Sequence, residues 1–98
     1  MVLGDLAKVV RSKNAGPTML TIDVIFGDEA AFVRGHAALT PDAIAMRYGR
    51  PADDFDVIAV PAARAVKIVF ARAITAGGPG DRDGFGAQQH APMLGLEV

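Results

Sequence analysis

Four consecutive polar residues end a β-prone run and directly precede a Gly-Pro turn: Arg11, Ser12, Lys13 and Asn14. Two cations, a hydroxyl and an amide, together with the backbone N–H groups of a turn, are groups that bind carboxylates and phosphates. The sequence therefore predicts an anion-binding turn at these positions. A turn that is only solvated is the competing interpretation, because short polar turns are common.

A second candidate lies near the far end of the chain, in the string GAQQHAP. His90 has the side chain of a general acid or base, and Gln88 and Gln89 have amides that fix a substrate amide or carboxylate. The alternative is that His90 only hydrogen-bonds its own loop. We expect His90 to share one site with the polar turn.

Other kinds of site are disfavoured by spacing. The chain has no Walker A loop, and Asp81 and Asp83 in GGPGDRDGFG do not follow the EF-hand pattern, so the signal for metal is weak. His36 and His90 do not form a pair at zinc-ligand spacing. Ser12 is the only serine and lacks the G-x-S-x-G context of a hydrolase nucleophile. We expect no metal and no cofactor.

Composition limits the class of protein. A chain of 98 residues, 51% apolar and 21% charged, predicts one globular domain over residues 1–98. A net charge of -1 without a basic stripe argues against nucleic acid as a partner. The absence of Cys excludes disulfides and thiolate sites. No signal peptide or membrane span is recognisable, so we expect a cytoplasmic protein and no membrane partner.

Hydrophobic periodicity predicts the elements that must position the candidate residues. Alternation with period two predicts two clear strands, in TMLTIDVIF and RAVKIVFAR. Shorter strands are predicted at 6–11, 55–60 and 93–98. Helices are predicted from Asp28, with Gly35 weakening the far end, and from Thr40 and Pro41 to Gly49. The segment 75–92 is predicted to be a long loop.

This order of elements predicts an α+β fold, a mainly antiparallel sheet with helices on one face in a ferredoxin-like sandwich. The other face would carry Asp23, Lys67 and Glu97 beside apolar residues. A mixed face of this kind is compatible with a docked partner and with plain solvation in equal measure.

Four strings of the chain resemble a small bacterial family of unknown function: LAKVVRSKNAGPTMLTIDVIF, LTPDAIAMRYG, RAVKIVFAR and GDRDGFGAQQHAPMLGLEV. Its members are encoded beside, or fused to, acyclic-terpene-utilisation (AtuA-type) proteins. The chain is also distantly similar to the ferredoxin-fold domain that ends AtuA proteins, in which an R-S-G-D-K-G turn follows the first strand. Lys13 and Asn14 stand where that turn has Gly and Asp, which removes a carboxylate and favours anion binding.

The resemblance implies a small interaction subunit of a two-component system that degrades carboxylic acids or their CoA thioesters. Docking on an AtuA-type large protein would complete an anionic-substrate site. A stand-alone lyase or isomerase is the alternative, with His90 as acid or base and Arg11 or Lys13 holding a carboxylate. A third possibility is a non-catalytic homo-oligomer that packs sheet against sheet.

Overall fold

The computed structural model describes residues 1–71 and 90–98. In chain order its main elements are α1 (Leu3–Leu6), β1 (Val9–Asn14), β2 (Met19–Ile25), α2 (Glu29–Ala38), α3 (Pro41–Tyr48), β3 (Asp56–Val60) and β4 (Ala65–Ala71). Short 3-10 helices occupy Ala52–Asp54, Pro61–Ala63 and Ala91–Gly95. Within these residues no helix has both the length and the apolar character that a membrane crossing requires.

The four strands form one sheet in the order β1-β2-β4-β3, and every neighbouring pair is antiparallel. Strands β1 and β2 make one hairpin, β3 and β4 make the other, and α2 and α3 connect the two hairpins. The predicted α+β class, with an antiparallel sheet and helices on one face, is confirmed. The further likeness to ferredoxin-like sandwiches stays a prediction.

The core lies between the helices and one face of the sheet. Alternate residues of the two central strands are at most 2% exposed, as the period-two pattern predicts: Leu20, Ile22 and Val24 in β2, and Val66, Ile68 and Phe70 in β4. The helices and the C-terminal segment cover them with buried side chains that include Leu3, Phe32, Ile44 and Met93. Full burial of each large apolar side chain contributes about 1.5–3 kcal/mol, so this layer holds the fold together.

Both longer helices begin at the predicted caps. Asp28 Oδ1 accepts a hydrogen bond from the Ala31 N–H at 2.8 Å, and Thr40 Oγ1 accepts one from the Ala43 N–H at 3.2 Å. Gly49, with φ 64°, ends α3 in the left-handed conformation that glycine adopts without a steric penalty. Local signals therefore determine where these helices start and where α3 stops.

The prediction of a first strand over residues 6–11 is wrong in its bounds. Residues Leu3–Leu6 form α1, and β1 begins at Val9 and continues to Asn14. The polar residues remain in the strand because the hairpin register pairs Ser12 with Ile22 and Asn14 with Leu20. The turn itself is therefore shorter than predicted and follows Asn14.

The predicted final strand over residues 93–98 is also wrong. The structure has a 3-10 helix at Ala91–Gly95, followed by a single antiparallel bridge between Glu97 and Val2. Met93 and Leu96, three residues apart, are buried, whereas Leu94 is exposed. That spacing matches the three residues per turn of a 3-10 helix and not the alternation of a strand. Most of the predicted loop 75–92 lies outside the described residues.

Gly35 allows α2 to lie close to the sheet. The helix continues through Gly35 to Ala38, although the sequence predicts a weak end there. A Cβ atom at this position would overlap the ring of Phe26, which is buried at the end of β2. The ring of Phe26 can therefore enter the core only because residue 35 has no side chain.

We predict that Gly35→Ala lowers the free energy of unfolding by about 1–3 kcal/mol through overpacking against Phe26. Alanine favours helices over glycine by about 1 kcal/mol, so propensity alone would give the opposite sign. Gly27→Ala is the matched control, because a Cβ there meets open space. Denaturant unfolding of both variants measures the difference, and a stabilised Gly35→Ala protein would contradict the packing argument.

Tyr48 lies in an aromatic cluster beneath the end of α3. Its ring centroid is 5.7 Å from that of Phe55 and 5.3 Å from that of Phe70. Arg50 lies over the same two phenylalanines, with its guanidinium carbon 5.7 and 5.5 Å from their centroids. Burial raises the pKa of the Tyr48 phenol well above its usual range, with the charge of Arg47 opposing the shift in part.

Alkaline titration tests this burial. An unfolded tyrosine ionises at about pH 10, whereas the folded protein keeps Tyr48 protonated. The stabilisation from this raised pKa is thus complete below about pH 10 and is lost as the pH rises towards the folded-state pKa. The chain has one Tyr and no Trp, so phenolate absorbance reports Tyr48 alone. Equal titration midpoints in buffer and in denaturant would contradict a buried phenol.

Candidate functional site at the end of β1

The alternation of side chains in β1 divides the four polar residues into two pairs. Ser12 lies on the helix-covered face, where it is 7% exposed, and Asn14 follows it on the same side. Arg11 and Lys13 point to the other face and are exposed. The four side chains therefore do not surround one small ligand from one side of the sheet.

His90 reaches this strand from the opposite end of the chain. It directly precedes the 3-10 helix Ala91–Gly95, and its carbonyl accepts a hydrogen bond from the Met93 N–H at 2.9 Å. Met93 is fully buried against the core. The first turn of this helix thus fixes the backbone position of His90.

Several hydrogen bonds hold the C-terminal segment over α1 and α3. The Leu3 N–H donates to the Leu96 carbonyl at 2.7 Å, and Arg47 Nε donates to the Pro92 carbonyl at 2.9 Å. Gly95 leaves room for the Arg47 guanidinium, which a Cβ at that position would overlap. Arg47 and Gly95 therefore position the segment that carries His90, and their roles have no recognisable signal in the sequence.

The Oγ atom of Ser12 lies 3.3 Å from Nδ1 of His90. Seventy-eight positions separate the two residues in the chain, so this contact requires the C-terminal segment to fold back over α1 and α3. It brings together one residue of the predicted turn and the predicted acid or base. Gln88 and Gln89, the other predicted substrate-binding residues, lie outside the described residues.

The contact with Ser12 determines the state of the imidazole. If the Ser12 hydroxyl donates to Nδ1, the neutral ring carries its proton on Nε2 and can act there as an acid. If Nδ1–H donates to Oγ, Nε2 is the unprotonated nitrogen and can act as a base. In both arrangements Ser12 orients the ring and Nε2 is the nitrogen left for a substrate.

A serine nucleophile does not follow from this pair. Ser12 lies within a regular strand and not on a tight strand-to-helix turn. In the part of the chain that the structure describes, no carboxylate hydrogen-bonds the His90 ring. A positioning role for Ser12 therefore fits the geometry better than attack by its hydroxyl.

Charges on the other face of β1 are arranged as a row across the sheet. Arg11 Nε lies 3.7 Å from Asp23 Oδ2, with the two side chains 62% and 15% exposed. Asp23 pairs across the sheet with Lys67 in β4. The position of Asp23 and Lys67 on this face agrees with the sequence prediction, whereas Glu97 lies outside the sheet.

The described residues also contain features that do not belong to this site. A shallow groove beside the end of α3 is lined by residues that include Asp42, Met46 and Arg50 and by none of the predicted site residues. Within residues 1–71 and 90–98, no group of three or more His, Asp or Glu side chains is placed to hold a metal ion. Asp81 and Asp83 are outside these ranges.

We predict that Ser12→Ala changes the tautomer ratio of His90, because it removes the group that contacts Nδ1. Nitrogen-15 NMR of the imidazole rings measures this ratio directly. His36, the only other histidine, lies exposed on α2 and stacks on Phe32, so it is an internal control in the same spectrum. An unchanged His90 signal in a folded variant would show that the contact does not form in solution.

Comparison with known proteins gives one match. No curated protein sequence and no solved structure matches the chain. The model of one protein family matches residues 3–97, which include every described element and both halves of the Ser12–His90 pair. The chain therefore belongs to the family described as a domain of unknown function (DUF4387).

Proposed function

We propose that the protein is the small interaction subunit of an AtuA-type two-component system that degrades carboxylic acids or their CoA thioesters. It contributes an anion-binding site at the end of β1, with His90 as the acid or base. The observation that carries this proposal is the 3.3 Å contact between Ser12 and His90. The identity of the large partner rests on the resemblance of the sequence to proteins encoded beside AtuA-type genes.

The chemistry around Ser12 suits an anionic group. In the tautomer in which Ser12 donates to Nδ1, His90 offers an N–H donor at Nε2, and Asn14 adds an amide on the same side of the strand. Arg11 and Lys13 are on the other face of the same strand, so they add positive potential and not direct contacts. The site thus retains the predicted preference for anions while fewer side chains touch the ligand.

The position of the site on an edge strand supports a partner. Strand β1 pairs with β2 on one side only, within the described residues. An edge strand presents backbone N–H and C=O groups that a second protein can pair with. A large subunit that docks along this edge would cover the side of the site that faces away from β2.

A stand-alone lyase or isomerase is the second candidate. It is favoured by one observation, namely that the Ser12–His90 pair forms within the chain and needs no other protein. In this case His90 Nε2 would move a substrate proton by itself, and the small protein would be active when purified alone.

Co-expression with the neighbouring AtuA-type protein separates the two candidates. The proposal predicts that both chains elute as one complex at micromolar concentration and that only the complex acts on a panel of hydroxy acids and acyl-CoA thioesters. Full activity of the small chain alone would favour the lyase or isomerase. Independent elution together with inactivity of the mixture would overturn the proposal.

His90→Ala tests the chemical role within the complex. We expect kcat/KM to fall by a factor of about 100 to 10,000, the usual contribution of a general acid or base, while the complex still elutes as one species. His36→Ala is the matched control, because His36 is exposed on α2 and stacks on Phe32 instead of contacting Ser12. Equal activities of the two variants would remove His90 from the reaction.

A further inference from the structure

The face of the sheet opposite the helices has a regular pattern of charge. The antiparallel register arranges its side chains in three rows that run across β1, β2, β4 and β3. The first row is Lys13, Thr21, Val69 and Asp56; the second is Arg11, Asp23, Lys67 and Ile58; the third is Val9, Ile25, Ala65 and Val60. The third row is entirely apolar.

The helices lie on the other side of the sheet. Every strand residue of the buried core cluster belongs to the helix-covered face. On the opposite face Val9, Ile58 and Val60 are 38%, 48% and 37% exposed, three large apolar side chains on the two edge strands. These residues lie at the two edges of the face, and Ile25 and Ala65 connect Val9 with Val60 in one apolar band across the sheet. A band of this kind beside charged residues can meet another protein.

The rows match themselves under one two-fold rotation, except that Arg11, which is ion-paired with Asp23 of its own chain, faces the partner's Ile58. In this arrangement two copies of the sheet pack face to face, and the two-fold axis lies between them and runs parallel to the strands. This rotation places β1 opposite β3 of the second copy and β2 opposite β4, and it keeps each row in its place. Lys13 then faces the partner's Asp56, and Asp23 faces the partner's Lys67. Val9 faces the partner's Val60, so the apolar rows also meet.

The other in-plane axis does not give this match. A two-fold axis between the sheets and perpendicular to the strands places each strand opposite the same strand of the second copy. The middle row then faces the middle row of the second copy. Arg11 would face a second Arg11, and Asp23 a second Asp23, which is unfavourable for like charges. The charge pattern therefore selects a single symmetric arrangement.

We propose that this face is the interface of a two-fold homodimer in which β1 packs opposite β3 of a second copy. Aligned packing of two sheets at about 10 Å is a common arrangement, and a two-fold axis requires the self-complementary surface seen here. The dimer leaves the helix-covered side of β1 free, because Ser12 and His90 lie across the sheet from it. It therefore does not depend on the proposed function.

The area of this face limits the affinity that is expected for the dimer. At about 4.8 Å per strand and about 3.4 Å per residue, four strands and five residues give roughly 19 by 17 Å. The two copies together present roughly 650 Å² of projected area, which is below the size of standard specific interfaces, so a weak dimer that dissociates at high micromolar concentration is expected. Sedimentation equilibrium from about 1 μM to about 1 mM covers the transition.

A charge swap provides the sharpest test. Lys13 and Asp56 lie on opposite edge strands with β2 and β4 between them, so they do not meet within one chain. Asp56→Lys should raise the dimer Kd on the order of tenfold, because it creates two like-charge contacts by symmetry. Adding Lys13→Asp in the same chain should restore the Kd, since each new pair is again of opposite sign and the net charge is unchanged.

An apolar position gives the matched control. Ile58→Arg introduces a charge within the proposed interface and should leave the protein monomeric, whereas Val33→Arg introduces the same charge on α2 and should leave the dimer intact. Both side chains are about half exposed, at 48% and 58%, so both variants are expected to fold. A monomeric wild type at the highest concentration, no restoration in the double swap, or equal effects of the two arginines would overturn the proposal.

Discussion

Side chains alternate between the two faces of a β-strand, and in β1 this constraint separates residues that are adjacent in the sequence. Ser12 is covered by the helix layer and contacts His90, while Arg11 and Lys13 on either side of it face the side of the sheet opposite the helices. The candidate site and the proposed dimer face therefore lie on the two sides of one short strand. A shift of the register by one residue would exchange the two sets and place two cations in the core, so the hairpin with β2 is essential to both.

The second requirement is the anchoring of the C-terminal segment. The Leu3–Leu96 and Arg47–Pro92 hydrogen bonds and the buried Met93 side chain hold this segment on α1 and α3. His90 is the residue from which it starts, so its position beside Ser12 follows from packing further along the chain. In this protein the stability of the termini and the geometry of the candidate site are consequently coupled.

The sequence predictions are accurate where a feature depends on neighbours in the chain, and they fail where it depends on contacts between distant parts of the chain. The caps at Asp28 and Thr40 and the alternation in β2 and β4 depend on neighbours within a few residues, and these predictions are confirmed. The string MLGLEV satisfies a period of two through Leu94, Leu96 and Val98 and a period of three through Met93 and Leu96. Six residues are too few to distinguish these periods, so contacts with α1 and α3 decide in favour of the 3-10 helix.

The sequence by itself determined the α+β class, the two long helices, the central strands and the types of polar residue that could bind an anion. It did not determine which of those residues share a face, because that depends on the pairing of Arg11 with Asp23 and of Asn14 with Leu20 across the hairpin. Only the tertiary structure placed His90 beside Ser12, since a contact between residues 78 positions apart requires the C-terminal segment to pack back onto α1 and α3.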